Sequence, residues 1–294
     1  MADLNGYAAE MRRIEKDIAD IGGAESLAPP IDPPRVTQYI YLLYQRAALG
    51  GDPAHLSAVG LAIDRAIPLL RNPDDLYLLK ANVAFKLHNL AEARSAVLGL
   101  RLVCGSPEGR LIRADLDFQH GHLAKARHQY LAALERNRSW SALARLAYLH
   151  GKTGDPNGAD QLYAEAEEEL TAKEMRSFAW LEVQRGFLAF AQGCYSRARV
   201  HYKRAAAAYP GYWLVDEHIA ELLGADSEYR EAAAILERIL SIADRADLRQ
   251  AIGEIYELAA EPAMARRWYD SALTGYLQSA EQGEVHYYHH LADY

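Results

Sequence analysis

Small, bulky and polar positions recur along this chain with a long, regular period. Six segments align on it: KLHNLAEARSAV, FQHGHLAKARHQYLAAL, HGKTGDPNGADQLYAEA, AQGCYSRARVHYKRAAAAYP, ADSEYREAAAILERIL and AAEPAMARRWYDSAL. Each reads as a turn and then a helix with a small residue at one fixed place. That residue is Ala93, Ala126, Ala159, Ala198, Ala232 and Ala265, at intervals of 33, 33, 39, 34 and 33 residues. Twelve positions earlier stand Ala81, Ala114, Ala147, Gly186, Ala220 and Gly253. Four positions later stand Val97, Tyr130, Tyr163, Tyr202, Leu236 and Tyr269, and seven later Leu100, Ala133, Ala166, Ala205, Ile239 and Ala272.

Two antiparallel helices joined by a short turn cannot bury their apolar faces alone. Small residues let the two backbones approach, the bulky residue fills the space against the next pair, and stacked pairs share one core. The 39-residue interval predicts one lengthened second helix, ADQLYAEAEEELTAKEM, by about one or two turns. A looser first repeat spans TQYIYLLYQRAALGGDPAHLSAVGLAIDRAIPLLRNP, where Gly51-Asp52-Pro53 mirrors Gly154-Asp155-Pro156. Before it, APPIDPP at residues 28–34 predicts a stiff extended linker. Residues 7–20 predict an amphipathic helix with Tyr7, Met11, Ile14 and Ile18 on one side, which caps the first repeat or docks elsewhere.

The pattern resembles the tetratricopeptide-repeat (TPR) family. The fifth repeat carries the resemblance best: Gly186, Ala189, Gly193, Tyr195, Ala198, Tyr202, Ala205 and Pro210 all fall on family positions. The chain departs from the family where Lys80, Arg113 and Arg185 replace a usual leucine, and the closing proline is clear only at Pro73 and Pro210. The resemblance implies an all-α fold, a right-handed α-α superhelix (solenoid) of about seven TPR helix pairs plus a terminal helix. It implies an N-terminal helix and Pro-rich linker over residues 1–34 and a superhelix over 35–294. Repeats would lie near 37–73, 74–106, 107–139, 140–178, 179–212, 213–245 and 246–284, with a partial eighth at 285–294.

In this family the first helices line a concave groove, reached by positions that share a helix face. The resemblance puts Asn82 and Phe85 there, then Asp115 and Phe118, then Tyr148 and Lys152. Trp180, Val183, Phe187 and Phe190 form one stripe, followed by Glu217 and Glu221, then by Asp247, Gln250, Glu254 and Glu257. The implied groove is mixed or weakly basic in the middle, then aromatic, then acidic toward the C-terminus. Nearby carboxylates repel unless a partner neutralises them, so one reading is that this end takes a basic or amine-bearing segment, with Trp180 and Phe187 as apolar or cation–π anchors. The favoured reading is that the carboxylates are a solvated face and that Trp180 and Phe190 pack against neighbouring helices. A chaperone-carboxylate clamp is not expected, because Asn82 is matched by Ile112 and Tyr41 rather than by further clamp residues.

Other chemistry is thin. HGKTG at 150–154 lacks the earlier glycine of a phosphate loop, where Leu146 stands, and reads as a turn. His120, His122 and His128 have no carboxylate or cysteine completing a metal spacing. HYYHHLADY at 286–294 is read as the first helix of an eighth repeat, with Ala292 as its small residue. There His286, His289 and Asp293 face the groove, while Tyr288 and Leu291 pack. A metal site at His286, His289 and His290 is the disfavoured alternative, and the incomplete repeat suggests a chain continuing beyond it.

Composition narrows the function. The 294 residues are 50% apolar with a net charge of −8 and a pI near 5.8, which argues against a nucleic-acid surface. Cys104 and Cys194 are too few for a disulfide framework. No signal peptide and no run of apolar residues long enough for a membrane span is visible. The expectation is a cytoplasmic scaffold or adaptor that binds a protein or peptide partner in its groove, without nucleic acid, membrane insertion, cofactor, metal or catalytic residues. The alternative is a sensor or regulatory TPR segment of a larger protein, or a peptide-responsive regulator.

Overall fold

The computed structural model describes residues 6–99 and 106–293, and among them the regular structure is entirely helical. Helix α1 (Tyr7–Asp20) precedes seven helix pairs: α2 (Pro33–Gly50) with α3 (Pro53–Ala66), α4 (Asp74–Lys86) with α5 (Leu90–Gly99), and α6 (Pro107–Gln119) with α7 (Leu123–Arg136). Next come α8 (Trp140–Lys152) with α9 (Pro156–Glu168), α10 (Met175–Ala191) with α11 (Tyr195–Ala208), α12 (Trp213–Ala225) with α13 (Tyr229–Leu240), and α14 (Ala246–Leu258) with α15 (Pro262–Glu281). A short α16 (Tyr288–Asp293) follows. The chain divides into two compact units: one holds the described residues of Val97–Leu222, the other those of Tyr7–Ala96 and Leu223–Tyr294.

The turn inside each pair has a backbone cause. Five residues before each recurring alanine the chain enters the left-handed region, at His88, Gly121, Gly154, Gly193, Ser227 and Ala260. The next residue's N–H then donates back to a carbonyl of the last helical turn, as in Asn89 to Ala84, His122 to Asp117, Asp155 to His150 and Cys194 to Ala189, at 2.8–2.9 Å. This is the Schellman closure, which satisfies the orphan carbonyls and reverses the chain. Glycine fills the position at no steric cost, whereas His88, Ser227 and Ala260 hold it at a cost of about 1–2 kcal/mol. The GKT of HGKTG straddles the end of α8: Gly151 and Lys152 are its last helical residues, Thr153 and Gly154 form the turn, and Asp155 caps the Gly158 N–H.

The small positions form the cores. Ala81, Ala114, Ala147 and Ala220 are fully buried, as are Ala93, Ala126, Ala159, Ala198 and Ala232. The bulky residue four positions on fills space against the next pair, as Tyr130 does against Leu146, Tyr163 against Leu181 and Tyr202 against Leu222. It also lies across the small residue of its own first helix: a Cβ at Gly186 would sit 2.2 Å from the Tyr202 ring, and one at Gly253 2.8 Å from the Tyr269 ring. Glycine stands where the opposing ring comes closest.

Three details differ from expectation. The long interval does not lengthen α9, which ends at Glu168; the extra residues form a longer connection and an earlier start to α10 at Met175. The lengthened second helix is α15, of 20 residues. Pro33 and Pro34 open α2 behind the N-cap position of Asp32, because proline is preorganised for a first helical turn, so the linker ends sooner than expected. Helix α1 packs on α2, burying Ile14 and resting Ile18 on the core of the first pair.

Replacing Gly186 by alanine gains about 1 kcal/mol of helix propensity but overpacks a ring that cannot yield, a cost of about 1–3 kcal/mol. Urea denaturation should show net destabilisation, and the same change in a Tyr202→Leu background should be neutral or stabilising.

Candidate partner-binding surface

On each first helix the residue after the buried small position is turned about 100° away from the helix partner. In the unit that spans Val97–Leu222, this position is Asp115, Tyr148, Phe187 and Glu221 in successive repeats. Two of them are aromatic and exposed: Tyr148 is 42% accessible and Phe187 41%. The Phe118 ring meets Tyr148 edge-on at 5.6 Å, and the Lys152 ammonium lies 5.4 Å from the Tyr148 ring. Phe187 has His218 at 6.0 Å, which in turn stacks on Tyr202 and bonds Glu221 at 2.8 Å. The result is an exposed aromatic row flanked by Lys152 on one side and Glu221 on the other.

The other expected groove residues are more deeply engaged. Asp115 accepts from Tyr130 Oη at 2.7 Å and from Arg145 Nε, while Arg145 also reaches Glu108. Burial raises the Asp115 carboxyl, and Arg145 and Tyr130 only partly offset it. Trp180 is half-buried, edge-on to both Trp140 and Tyr163 and packed on the core of the fourth pair. Val183 is fully buried, so the stripe of four on α10 is broken by a core residue. Phe190 leans on Tyr195 and the core of the fifth pair. Glu217 is half-buried on α12.

In the other unit, Phe85 is half-buried, and Asn82 donates to Leu78 O of its own helix. The carboxylates there have internal partners: Asp247 pairs with Arg245, Glu254 accepts from Gln250, and Glu257 accepts from Tyr269 Oη at 2.6 Å. The reading of 285–294 as a regular first helix needs correction. Helix α16 starts only at Tyr288, so His286 lies in the preceding turn. Tyr287, not Tyr288, is the buried tyrosine, and Ala292 is exposed. The long α15 runs to Glu281 and closes through a left-handed Gly283, and the next helix starts only after a further turn. Asp293 closes α16; its side chain lies outside the described residues, as does Cys104. His289 is exposed beside His290. Among the described residues no group of three or more His, Cys, Asp or Glu is arranged to hold a metal, and no helix is long and apolar enough to cross a membrane.

Solved structures share this arrangement. A tetratricopeptide repeat protein from Parabacteroides merdae matches with a TM-score of 0.53 at 16% identity, over 92% of this chain and 93% of its own. The chain carries the TPR fold. The Cut9–Hcn1 structure, an APC/C hetero-tetramer, matches at 0.64 and 12% identity over 94% of this chain, which spans half of that one. The human IFIT1 dimer with PPP-AAAA matches at 0.58 and 13% identity, over 91% of this chain and 68% of its own. No family profile and no curated protein matches the sequence.

Against the TPR pattern, two of the charged departures acquire a role. Lys80 on α4 pairs with Asp64 on α3 and with Glu92 on α5. Arg185 on α10 bonds Asp160 and Glu167 on α9. Each replaces an apolar contact between successive pairs by an ion bridge. Arg185 belongs to a larger network that the sequence reading missed. The fully buried Glu182 takes His201 Nδ1 at 2.9 Å and Arg204 at 2.9 Å, and Arg204 also lies 3.6 Å from Glu167. Only the charge at Arg185 hinted at it.

The network is pH-sensitive. Burial first, and then the hydrogen bond and charge of Glu182, raise the Glu167 carboxyl to about 7. Burial works to raise Glu182 as well, but His201, Glu167 and Arg204 outweigh it and hold it below the usual carboxylate range. A carboxyl raised on folding binds more protons in the native state, so its contribution to stability falls as pH rises through the window from its ordinary value to about 7. Glu167→Gln keeps this position neutral and should therefore gain stability relative to wild type as pH rises from about 5 to about 7, and hold that gain above it, measured by chemical denaturation across that range.

Proposed function

We propose that this protein is a non-catalytic interaction module that holds a protein or peptide segment against the first helices of its TPR pairs. The observation that carries the reading is the exposed row Tyr148–Phe187, with Phe118 behind it. Aromatic side chains with a rigid backing and an open face are the usual anchors of an interface. The internal bonds of Asp115, Asp247 and Glu257 leave less free acid than the sequence suggests. Glu221 and Glu254 remain exposed, and a basic residue of the partner would sit favourably beside Glu221, at the end of the row opposite Lys152.

The neighbours support a partner rather than a reaction: one is solved as a hetero-tetramer. Another is solved with PPP-AAAA, but the net charge of −8 disfavours a polyanion here. The fold is reused for many partners, so the assignment rests on the surface and not on the likeness.

Affinity capture from source lysate with wild type, Tyr148→Ala and Phe187→Ala supplies the test. A partner retained by wild type should lose about tenfold or more in affinity with each variant, while thermal stability stays within about 1 kcal/mol of wild type. A partner bound equally by all three would remove the aromatic row from the site. Unchanged binding by Glu221→Lys and Glu254→Lys would remove the basic residue from the description of the partner.

A further inference from the structure

Within the unit that joins Tyr7–Ala96 to Leu223–Tyr294, the turn after α15 borders an open cleft of about 290 Å³ lined by the first and second helix pairs. Its walls include Leu61, Lys80, Val83 and Leu87 on one side and Val285 and His286 on the other. Beside it, four imidazoles come together from two parts of the chain. His88 lies 5.1 Å from His286 and 5.5 Å from His289, ring centre to ring centre. His289 lies 4.2 Å from His290, which stacks on Tyr276 of α15 at 5.2 Å. His88 occupies the left-handed position of the α4–α5 turn, where three other repeats have glycine.

Among the described residues, the carboxylates nearest His88 and His286 are engaged elsewhere. His286 Nδ1 is buried with no hydrogen-bond partner. The carboxylate nearest in influence is Asp247 at the start of α14, already paired with Arg245 and accepting from Tyr287 Oη at 3.3 Å. Glu284, in the turn itself, accepts from Ser279 Oγ at 2.9 Å. On the cleft wall, Asp64 on α3 and Glu92 on α5 are both taken by Lys80 on α4.

We propose that His88 and His286 form a proton-operated clasp. As neutral rings they pack and hold residues 282–293 against the second pair; as imidazolium ions they repel and release that segment from the cleft. Like charges at ring-contact distance disfavour one another, and a buried ring nitrogen without an acceptor disfavours its own protonation. Burial, helped by the neighbouring imidazoles, lowers His88 below the ordinary histidine value and His286 to about 4. A histidine lowered on folding costs nothing above its ordinary value, so the closed state loses stability only as pH falls from there toward about 4.

Hydrogen–deuterium exchange on the full chain, at about pH 7.5 and about pH 5, tests the clasp. After correction for intrinsic rates, protection of residues 282–293 should drop by on the order of tenfold at the lower pH, with little change in α8 and α9. His88→Asn removes the central ring and suits a left-handed residue; it should reduce that pH-dependent drop to less than about half. His286→Gln, which removes the ring facing His88, should reduce it in the same direction. Equal protection of 282–293 at both pH values overturns the proposal. So does an undiminished drop in both variants, or a drop shared equally by α8 and α9.

Discussion

The close approach of the two helices in each pair is the constraint on which the rest depends. It is set by small residues facing each other across the pair and by a bulky residue one helical turn further on. Tyr202 over Gly186 shows the limit, since a single methyl group there would overlap the ring. Because the approach is tight, the turn must reverse the chain in few residues, and the left-handed position with its returned hydrogen bond does this in six successive pairs. Three of those positions are not glycine, and tertiary packing must cover their strain.

Fixing the small residue inward also fixes what faces outward. The next residue along each first helix leaves the pair, and its chemistry then depends on its neighbours. Tyr148 and Phe187 are only partly covered, by Phe118 and His218, and stay exposed. Asp115 stands at the same register position but is drawn into Arg145 and Tyr130. Charged side chains at the join between pairs, Lys80 and Arg185, bind successive pairs through ions where leucine would do so through apolar contact. Such bridges are geometrically selective but carry a desolvation cost, and they make stability answer to pH.

Much of the candidate site was legible, but unevenly. The register of Tyr148 and Phe187 could be read from spacing alone, because a helix face repeats with fixed geometry. Their exposure was less legible: the packing of Trp180 and Phe190 against neighbouring helices was one of two readings, and spacing alone did not choose between them. The acid cluster looked unpaired because a linear reading does not show Arg245 beside Asp247, Tyr269 against Glu257 or Gln250 beside Glu254. Glu182 and His201 gave no signal at all: their partners come from α9, α10 and α11, and only packing brings these helices together.

By itself, the sequence determined the helical pairs, their spacing and their small-residue seams. These depend on local propensity and on steric rules that act within about forty residues. The tertiary structure decided where the extra residues of the long interval went, which tyrosine of Tyr287 and Tyr288 was buried, and that His88 would meet His286. Those outcomes depend on contacts between segments distant along the chain, including one between the α4–α5 turn and residue 286, and a periodic pattern carries no information about which distant surfaces meet.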